Sequence, residues 1–412
     1  MKIIVQKFGG TSVRDSRGRS FALKHIKKAI EDGYKSVVVV SAMGRKGEPY
    51  ATDTLLSLVD FPATHISKKE QDLLLSCGET ISSIVFSNML NQEGISALAI
   101  TGAQAGFRTN ADFTNAKILE MKTDKLKAAL MDYDVIVVAG FQGMTKDGEI
   151  TTLGRGGSDT SASALGVAIG AEFVDIFTDV EGVMTADPRI VEDARPLDLV
   201  SYTEICNMAY QGAKVIHPRA VEIAMHGKVP IRVRSTYSEG LGTLVTSLGK
   251  EARGRYVKDR LITGIAHTTG ISQIKVFPKE GTYENLHVQV FKAMAQAEIS
   301  VDFINISPNG IVYTVSEDVI DKAVDVLQSI GFDPQVNHHC AKVAVVGASM
   351  TGVPGVTAKI VTAISEKGIS ILQSADSHTT IWVLVKENEM KDAVNALHKA
   401  FQLDETTLEK NE

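Results

Sequence analysis

Short apolar runs alternate with longer amphipathic stretches from the start of the chain to about residue 245. The apolar runs are rich in β-branched residues, and a continuous run such as "VVVV" is typical of a strand buried on both faces of a parallel sheet. The stretches 70–94 and 158–171 have the length and spacing of helices. This alternation predicts an α/β three-layer sandwich with a mostly parallel sheet. The predicted strands are 2–8, 35–43, 96–101, 134–141, 173–179 and 230–235.

The pattern changes near residue 246. Residues 247–260 carry seven charges in fourteen positions, which is typical of a linker. Beyond the linker the chain repeats itself, since 290–303 matches 360–373 in pattern and 311–315 matches 381–385. Each copy has the order strand, helix, strand, strand, helix, which is most of a ferredoxin-like βαββαβ unit. The sequence predicts a linker at 246–260, a first repeat at 261–335, a second repeat at 336–405 and a charged tail at 406–412.

The second repeat lacks its last strand, because only the charged tail follows its final helix at 391–401. A strand-like run at 260–269 precedes the first repeat and is surplus to it. We expect this run to complete the second repeat, so that the first repeat is inserted within the second. The alternative is that the second repeat has one strand fewer.

Composition and charge narrow the class of protein. Hydrophobic residues make up 44% of the chain and charged residues 22%, which is typical of a soluble globular protein. The formal net charge of −6 argues against a nucleic-acid partner, which favours a basic face. We find no apolar run of membrane length and no signal-peptide core in the pattern. We therefore expect a cytoplasmic protein with no membrane partner.

The three cysteines, Cys77, Cys206 and Cys340, have no paired spacing. This favours a reducing compartment, with neither a disulfide framework nor a zinc site. The run 338–340, "HHC", could ligate a metal, but neighbouring residues on a strand point to opposite faces. We interpret the run as structural and predict no metal site made by the protein alone.

The segment "KFGGTS" at 7–12 follows the first predicted strand. Gly9 and Gly10 would let backbone N–H groups approach an anion, and Lys7 would add a point charge. Ser12 could cap the next helix or donate to a phosphate. No P-loop pattern occurs in the chain, and two glycines after a strand are also common in plain turns. The segment alone allows either interpretation.

A second glycine-rich segment, "TTLGRGGSDTSASALG" at 151–166, is more specific. Its glycines permit close backbone approach, and Ser158 opens a helix whose N-terminus attracts anions. Arg155 can grip a carboxylate with two hydrogen bonds, and Asp159 could position a lysine or Mg²⁺ near a phosphoryl group. A glycine-rich loop with a helix cap would not account for both charged residues. The segment favours a binding site.

Three further segments carry candidate chemistry. Thr178 and Asp179 end a predicted strand at the usual ligand edge of an α/β sheet. In "ADPR", Asp187 could hold a ribose or phosphate, although a structural Asp-Pro turn is equally consistent with the sequence. In "GAKVIHPRA", Lys214 could reach phosphates, but the sequence alone favours a solvated lysine. Glu79 lies in an apolar helical stretch and must be paired or face a cleft, where it could hold an ammonium group.

In this order, "KFGGTS", "SAMG", "LLSCGE", "TLGRGGSDTSA", "FTDVEGVMTADPR" and "GAKVIHPRA" resemble the aspartokinase family, which has the amino-acid-kinase fold and paired ACT domains. The resemblance covers essentially the whole chain and implies a catalytic domain at 1–245. The second repeat, with "MTGVPGVTAKIVTAISEKGISI", is similar to an ACT domain, whereas the first repeat lacks the usual Pro-Gly turn. Within the family the sequence is most similar to the diaminopimelate-sensitive isozyme of bacilli.

The resemblance implies transfer of the γ-phosphoryl group of ATP, with Mg²⁺, to the β-carboxylate of L-aspartate. This is the first step of the aspartate pathway to lysine, threonine and methionine, and it gives 4-phospho-L-aspartate. The implied catalytic residues are Lys7, Gly10, Ser12 and Asp159. The implied aspartate-binding residues are Ser41, Thr52, Glu79, Arg155, Gly156, Gly157 and Ser158. The implied nucleotide-binding residues are Lys7, Phe8, Gly9, Gly10, Thr178, Asp179, Val183, Met184, Asp187, Arg189 and Lys214. Thr52 is separated from "SAMG" by a longer gap than in many members of the family.

The resemblance also implies feedback inhibition by an end-product amino acid, meso-diaminopimelate, with lysine and threonine as alternatives. The implied effector residues are Val301, Asp302, Ile304 and Asn305, which as an alternative are merely strand and loop structure. A homodimer or higher homo-oligomer is expected. The rival hypotheses are a related kinase for glutamate, acetylglutamate or a nucleoside monophosphate, and an inactive amino-acid sensor. The "GRGGSDTSA" segment and the paired repeats oppose the former, and intact Lys7, Arg155 and Asp159 oppose the latter.

Overall fold

The computed structural model describes residues 1–213, 215–247, 261–278, 285–348, 350 and 353–405. These residues divide into two compact units. Of the described residues, the N-terminal unit contains 1–184, 196–209 and 215–247, and the C-terminal unit contains 185–195, 210–213, 261–278, 285–348, 350 and 353–405. The predicted linker from 248 to 260 and the tail from 406 to 412 lie outside the described residues.

The N-terminal unit consists of two sheets and the helices that cover them. Its strands are β1 Lys2–Phe8, β2 Tyr34–Val40, β3 Ala97–Ile100, β4 Phe107–Thr109, β5 Ile118–Met121, β6 Val135–Ala139, β7 Gln142–Met144, β8 Ile150–Thr152, β9 Phe173–Thr178, β10 Leu199–Ser201, β11 Ile231–Ser235 and β12 Thr243–Thr246. Its helices are α1 Gly10–Val13, α2 Ser16–Glu31, α3 Thr52–Ser57, α4 Lys68–Gln92, α5 Gly102–Ala105, α6 Asp124–Asp132, α7 Gly157–Ile169, α8 Tyr202–Tyr210 and α9 Pro218–Gly227.

The main sheet has the strand order β10-β12-β11-β9-β1-β2-β6-β3, and a smaller sheet has the order β5-β4-β7-β8. In the main sheet β1 pairs in parallel with β2 and β9, and β6 pairs in parallel with β2 and β3. The pair β11–β12 is antiparallel. All six predicted strands are present within three residues at either end, so the predicted, mostly parallel sheet is confirmed.

Helices cover both faces of the main sheet. On one face Leu23 and Ile26 of α2 and Phe86 of α4 pack with Val38 and Phe8 of the sheet. On the other face α7 packs against β1, β9 and α9. Since both faces are covered, the valines of β2 are fully buried, as the continuous apolar run indicates. The parallel pairing brings the C-terminal ends of β1, β2, β6 and β9 to one edge.

Helix α4 is long and apolar enough to cross a membrane by length and composition, judged on an 18-residue window. The helix meets this criterion by its average composition and not by an uninterrupted apolar run, since it also contains Asp72 and Glu79. Half of that window is buried within the protein. Phe86 and Leu90 lie in the core beside the main sheet, so the apolar composition is that of a core helix.

The C-terminal unit contains a six-stranded antiparallel sheet. Its strands are β13 Gly264–Val276, β14 Asp302–Ser307, β15 Gly310–Ser316, β16 Gln335–Val346, β17 Gln373–Asp376 and β18 Thr380–Lys386. Its helices are α10 Leu286–Gln296, α11 Ile320–Ser329, α12 Val356–Ser365 and α13 Met390–Ala400, with 3₁₀ turns at Glu317–Val319 and Glu387–Glu389. The strand order is β14-β15-β13-β16-β18-β17.

The two central strands, β13 and β16, each serve both repeats. The first part of β13, from 264 to 268, pairs with 342–346 of β16. Its second part, from 271 to 276, pairs with β15 on one side and with 335–340 of β16 on the other. A register shift between Thr268 and Ile271 separates the two parts. The first part of β13 thus lies in the second repeat, which supports insertion of the first repeat within the second. The predicted boundary at 335/336 falls at the start of β16, a strand that continues through both repeats.

The segment 185–195 lies between two parts of the N-terminal unit in sequence but folds with the second repeat. Ala186 and Val191 are buried in one apolar core with Ile360 and Leu397. Its first residue, Thr185, forms a hydrogen bond with His398, in which Oγ1 and Nε2 are 2.9 Å apart. The predicted domain 1–245 is therefore not one compact body, because burial of these apolar residues assigns the segment to the C-terminal unit.

Leu397→Ala should destabilise the C-terminal unit, because Leu397 is fully buried in the core of the second repeat. The expected loss is about 2–5 kcal/mol in the free energy of unfolding. Denaturant unfolding followed by the fluorescence of Trp382 measures this unit, since Trp382 of β18 is the single tryptophan of the chain. The control is Val361→Ala on the exposed face of α12, which should shift the free energy by less than about 1 kcal/mol. Equal shifts for the two variants would contradict the packing described.

Candidate functional site

A charged pair lies at the C-terminal edge of the main sheet. Lys7 near the end of β1 and Asp159 in the first turn of α7 bring Nζ and Oδ1 to 2.7 Å, and each side chain is 13% exposed. The two motifs are about 150 residues apart in sequence, and the packing of α7 on β1 joins them. The pair places a cation and a carboxylate together at the edge of the sheet where α/β proteins usually bind ligands.

The turn after β1 lies in backbone contact with the loop after β2. Ser41 N–H donates to Phe8 C=O at 3.2 Å, and Gly44 N–H donates to Gly10 C=O at 3.0 Å. A Cβ atom at Gly10 would lie 2.6 Å from Ala42 O, so a larger residue would separate the loops. Helix α1 begins at Gly10. Ser12 N–H and Val13 N–H donate to Gly9 C=O at 2.9 and 3.3 Å, whereas the N–H groups of Gly10 and Thr11 form no hydrogen bond within the described part of the chain. The structure thus provides backbone donors beside Lys7.

Glu79 of α4 is attached to the same loop. Its Oε1 accepts a hydrogen bond from Ala42 N–H at 3.2 Å, and the residue is 3% exposed. Among the described residues, Glu79 Oε2 is buried with no hydrogen-bond partner. Burial raises the pKa of Glu79 to about 8, although the backbone hydrogen bonds oppose the rise. A buried carboxyl oxygen without a donor is suited to bind a cationic group from a ligand.

The loop that carries Arg155 ends at a tight junction with His217. Gly156 has a φ of +69° and precedes α7, and a Cβ atom there would lie 2.2 Å from His217 Cγ. His217 N–H donates to Asp159 Oδ2 at 3.4 Å, and its Nδ1 accepts from Arg219 N–H at the start of α9. Burial is the main cause that lowers the pKa of His217. His217 therefore supports the loop.

Arg155 is exposed on this loop, and in the described part of the chain its guanidinium forms no hydrogen bond or ion pair. Gly157 and Ser158, in the first turn of α7, are buried. The five-donor fork of Arg155 is thus available for a carboxylate ligand.

Thr178 and Asp179 lie at the same edge, at and just after the end of β9. Thr178 Oγ1 donates to Asp179 Oδ1 at 3.2 Å, and Asp179 Oδ2 lies 3.3 Å from Arg45 Nη2 in the loop after β2. Both members of the latter ion pair are exposed, so the pair contributes little stability.

Several predicted residues have other surroundings. Ser12 is buried, and its Oγ lies 2.7 Å from Thr236 Oγ1, so its hydroxyl holds α1 in place. Thr52 begins α3 and is partly buried. Val183 N–H donates to Thr243 Oγ1 at 2.8 Å, and the next residue, Met184, forms an isolated β-bridge with Pro196.

Asp187 and Arg189 lie on the segment that folds with the second repeat. Arg189 Nε and Nη2 donate to the two Asp187 carboxylate oxygens at 3.0 and 2.6 Å, and Arg189 N–H also donates to Asp187 Oδ1. The Arg189 hydrogen bond is the main cause that lowers the pKa of Asp187. The structural turn that the sequence left open is therefore present. Lys214 lies outside the described residues.

Thr236 joins three parts of the site and was not found from the sequence. Besides its bond to Ser12, its N–H donates to Thr178 C=O at 2.8 Å, and its C=O lies 3.0 Å from His25 Nε2. No spacing or composition marks this threonine, which follows β11 and only becomes central when β11 pairs with β9.

The predicted effector residues lie at the start of β14, an edge strand of the C-terminal sheet. Asp302 Oδ2 and Lys342 Nζ are 2.6 Å apart. Burial raises the pKa of Asp302, but the hydrogen bond and charge of Lys342 outweigh it, and the pKa lies below its ordinary value. Val301 packs on the core of the first repeat, whereas Ile304 and Asn305 are exposed.

The run 338–340 lies on β16, a central strand of the same sheet, and contacts the carboxylate of Glu317. His338 Nδ1 lies 3.0 Å from Glu317 Oε1, and Cys340 is buried with Sγ 3.3 Å from Asn337 O. Within the described ranges, no three His, Cys, Asp or Glu side chains are grouped to hold a metal ion.

Comparisons with known proteins agree with this architecture. The chain matches the model of the amino acid kinase family over residues 2–235 and that of the ACT domain over residues 335–399. It is 65% identical to aspartokinase 1 of Bacillus subtilis (strain 168) over 403 residues, covering 98% of this chain and 100% of that protein. It is 38% identical to the aspartokinase of Geobacillus stearothermophilus over 411 residues, with 98% of each chain covered.

Solved structures give the same result. The structure of E. coli aspartokinase III in complex with aspartate and ADP (R-state) superposes with a TM-score of 0.77 at 26% identity, covering 97% of this chain and 99% of that one. The structure of the same enzyme with lysine and aspartate (T-state) gives 0.75 at 25% identity, covering 97% and 100%. The chain belongs to the aspartokinase (aspartate kinase) family, with an amino-acid-kinase fold followed by ACT repeats.

Proposed function

We propose that the protein transfers the γ-phosphoryl group of Mg-ATP to the β-carboxylate of L-aspartate and forms 4-phospho-L-aspartate. The observation that carries this proposal is the Lys7–Asp159 pair beside the first turn of α1, because it places a cation and backbone donors at one edge of the sheet. Support also comes from E. coli aspartokinase III, whose structure contains aspartate and ADP.

Lys7 would act on the phosphoryl group during transfer. Phosphoryl transfer passes through a loose transition state with charge on the phosphoryl oxygens, so positioning and electrostatics dominate catalysis. Asp159 holds Lys7 Nζ at 2.7 Å and so fixes the direction of its charge. The backbone of Gly9 and Gly10 would approach the phosphates, and Thr178 and the other residues implied by the resemblance would hold the nucleotide.

Mg²⁺ is usually bound by one or two carboxylates together with substrate phosphates. Asp159 beside Lys7 fits that donor set, and we propose that most of the remaining ligands are ATP oxygens. The ion would neutralise part of the phosphate charge, which lowers the repulsion between two anionic substrates.

Aspartate would be held at both ends of its α-amino-acid group. Arg155 would bind the α-carboxylate through its free guanidinium, and Glu79 would bind the α-ammonium through Oε2. The β-carboxylate is then left to attack. It needs no general base, because a carboxylate with an ordinary pKa near 4 is ionised at neutral pH.

We further propose that an end-product amino acid, meso-diaminopimelate, inhibits the enzyme at the first repeat. Asp302 remains ionised at neutral pH and could pair with the effector ammonium, while Ile304 and Asn305 are exposed beside it. Lysine is present in the T-state structure of E. coli aspartokinase III, which supports an amino-acid effector but leaves its identity to experiment.

A homo-oligomer in the cytoplasm completes the proposal. Strand β14 is an edge of the C-terminal sheet, and Ile304 and Ile306 along it are about half exposed. An edge strand with apolar side chains is a surface on which a second copy can pair.

ADP release from Mg-ATP with L-aspartate tests the reaction directly. We expect turnover with L-aspartate and none above background with L-glutamate or UMP. Lys7→Ala should lower kcat about a hundredfold or more, since one transition-state donor is lost. Turnover with another acceptor, or an unchanged kcat for Lys7→Ala, would contradict the proposed reaction or the role of Lys7.

The KM for aspartate should fall as pH rises from about 6.5 to 8.5. Free Glu79, with a pKa of about 8, is protonated below that pH and must lose its proton to pair with an ammonium group. The expected change approaches tenfold per pH unit well below the pKa. Glu79→Gln should raise the KM and remove this dependence, and the KM for ATP serves as an internal control. The same slope in both proteins would exclude Glu79 as its cause.

Asp302→Asn should weaken inhibition by the effector and leave the uninhibited kcat unchanged. Inhibition curves with meso-diaminopimelate, lysine and threonine identify the effector, and the variant should raise its half-inhibiting concentration about tenfold or more, as expected when one charged hydrogen bond is lost. The matched control is Asp321→Asn, on the exposed face of α11 in the same repeat. Equal inhibition of all three proteins would remove Asp302 from the effector site.

A further inference from the structure

A second carboxylate of α4, that of Asp72, is completely buried and fully hydrogen-bonded. Asp72 Oδ2 accepts from Thr152 N–H at 2.8 Å and from Thr114 N–H at 2.9 Å, and Asp72 Oδ1 accepts from Thr152 Oγ1 at 2.6 Å. Its exposed fraction is 0%. Burial raises the pKa of Asp72, and the three hydrogen bonds oppose this rise. All three partners are donors, so the site is built for a carboxylate.

One partner of Asp72, Thr152, lies at the start of the loop that carries Arg155. Thr152 is the last residue of β8, three positions before Arg155. Its C=O accepts a hydrogen bond from Ala116 N–H at 2.9 Å. Arg219 then bridges Leu153 C=O and Ala116 C=O at 2.8 and 2.9 Å. Asp72 and Arg219 therefore hold the start of this loop through hydrogen bonds.

Asp72 and Glu79 are carried by one helix. They are seven residues apart, two helical turns, so they project from nearly the same face of α4, about 10 Å apart along its axis. Glu79 contacts the loop after β2, and Asp72 contacts the loop that leads to Arg155. A single rigid element therefore connects the two groups assigned to the ammonium and the α-carboxylate of aspartate.

We infer that Asp72 is a positioning residue for aspartate, because it fixes the Arg155 loop to the helix that carries Glu79. The inference rests on the proposed function, in which Arg155 and Glu79 hold the two ends of the substrate. Asp72 touches no substrate itself. Its effect reaches aspartate through the separation of Arg155 and Glu79, and it leaves the Lys7 side of the site unchanged.

Asparagine cannot replace this carboxylate without loss. An amide has one oxygen, which can accept from both N–H groups, and its NH₂ must then donate to the Thr152 hydroxyl, which has to rotate to accept it. The negative charge that strengthens all three hydrogen bonds is lost, so the loop is held less firmly to α4. Thr152→Val is a milder change, since valine keeps the shape and the backbone N–H and removes only the hydroxyl donor.

The test measures the ratio of the KM for L-aspartate to the KM for ATP in variants that fold. Asp72→Asn should raise the KM for L-aspartate about tenfold or more, the effect of losing a hydrogen bond to a charged group, with the KM for ATP within about twofold. Thr152→Val should change the same ratio in the same direction by a smaller factor. Since aspartate KM reports the ammonium contact, its pH dependence should persist in both variants, because Glu79 itself is intact.

The matched control is Asp175→Asn, which removes a fully buried carboxylate of β9 whose partners are Arg232 and Arg234. It should lower the melting temperature without a selective rise in the KM for aspartate. If Asp72→Asn does not fold, Thr152→Val decides the question. Equal changes in both Michaelis constants, or an unchanged ratio in a folded variant, would overturn the positioning role. An unaltered enzyme that fails to phosphorylate L-aspartate would instead overturn the proposed function, together with this inference.

Discussion

Direct backbone contact between the turn after β1 and the loop after β2 is the constraint on which the site depends. Adjacent parallel strands end at the same edge, so their loops emerge side by side. Because Gly10 has no side chain, its carbonyl can accept a hydrogen bond from Gly44. The same loop supplies Ala42 N–H to Glu79. One close approach thus positions the glycine turn beside Lys7, where phosphate binding is proposed, and the carboxylate proposed to bind the ammonium group.

The carboxylates around this edge differ in whether each of their oxygen atoms has a hydrogen-bond or ion-pair partner. Asp159 has a cationic partner in Lys7, and Asp72 has three donors. Glu79 is buried, as Asp72 is, whereas Asp159 is partly exposed, and Glu79 Oε2 has no hydrogen-bond partner among the described residues. Buried polar groups that support a fold are normally satisfied, so the incomplete one is the group suited to a ligand.

The two repeats of the C-terminal unit share their two central strands. Both β13 and β16 continue through the two repeats and pair with each other in both, whereas β15 pairs with only the second part of β13 and β18 with only the second part of β16. The segment with Asp187 and Arg189 packs in the same core as Leu397 of α13. That segment continues in sequence into Met184 and Pro196, residues of the N-terminal unit. Residues 185–195 of the C-terminal unit are therefore covalently continuous at both ends with the N-terminal unit.

Periodicity alone determined the six principal strands, the long helix α4 and the repeated βαββ pattern, because burial on one or both faces imposes a regular spacing of apolar residues. The glycines and the charged residues Lys7, Arg155 and Asp159 marked the candidate site, because each motif lies within a short stretch of sequence. Periodicity could not reveal that Thr236 joins Ser12 to Thr178, that Asp72 supports the Arg155 loop, or that residues 185–195 fold with the second repeat. These contacts join residues distant in sequence, and only the packing of strands and helices decides which polar group meets which partner.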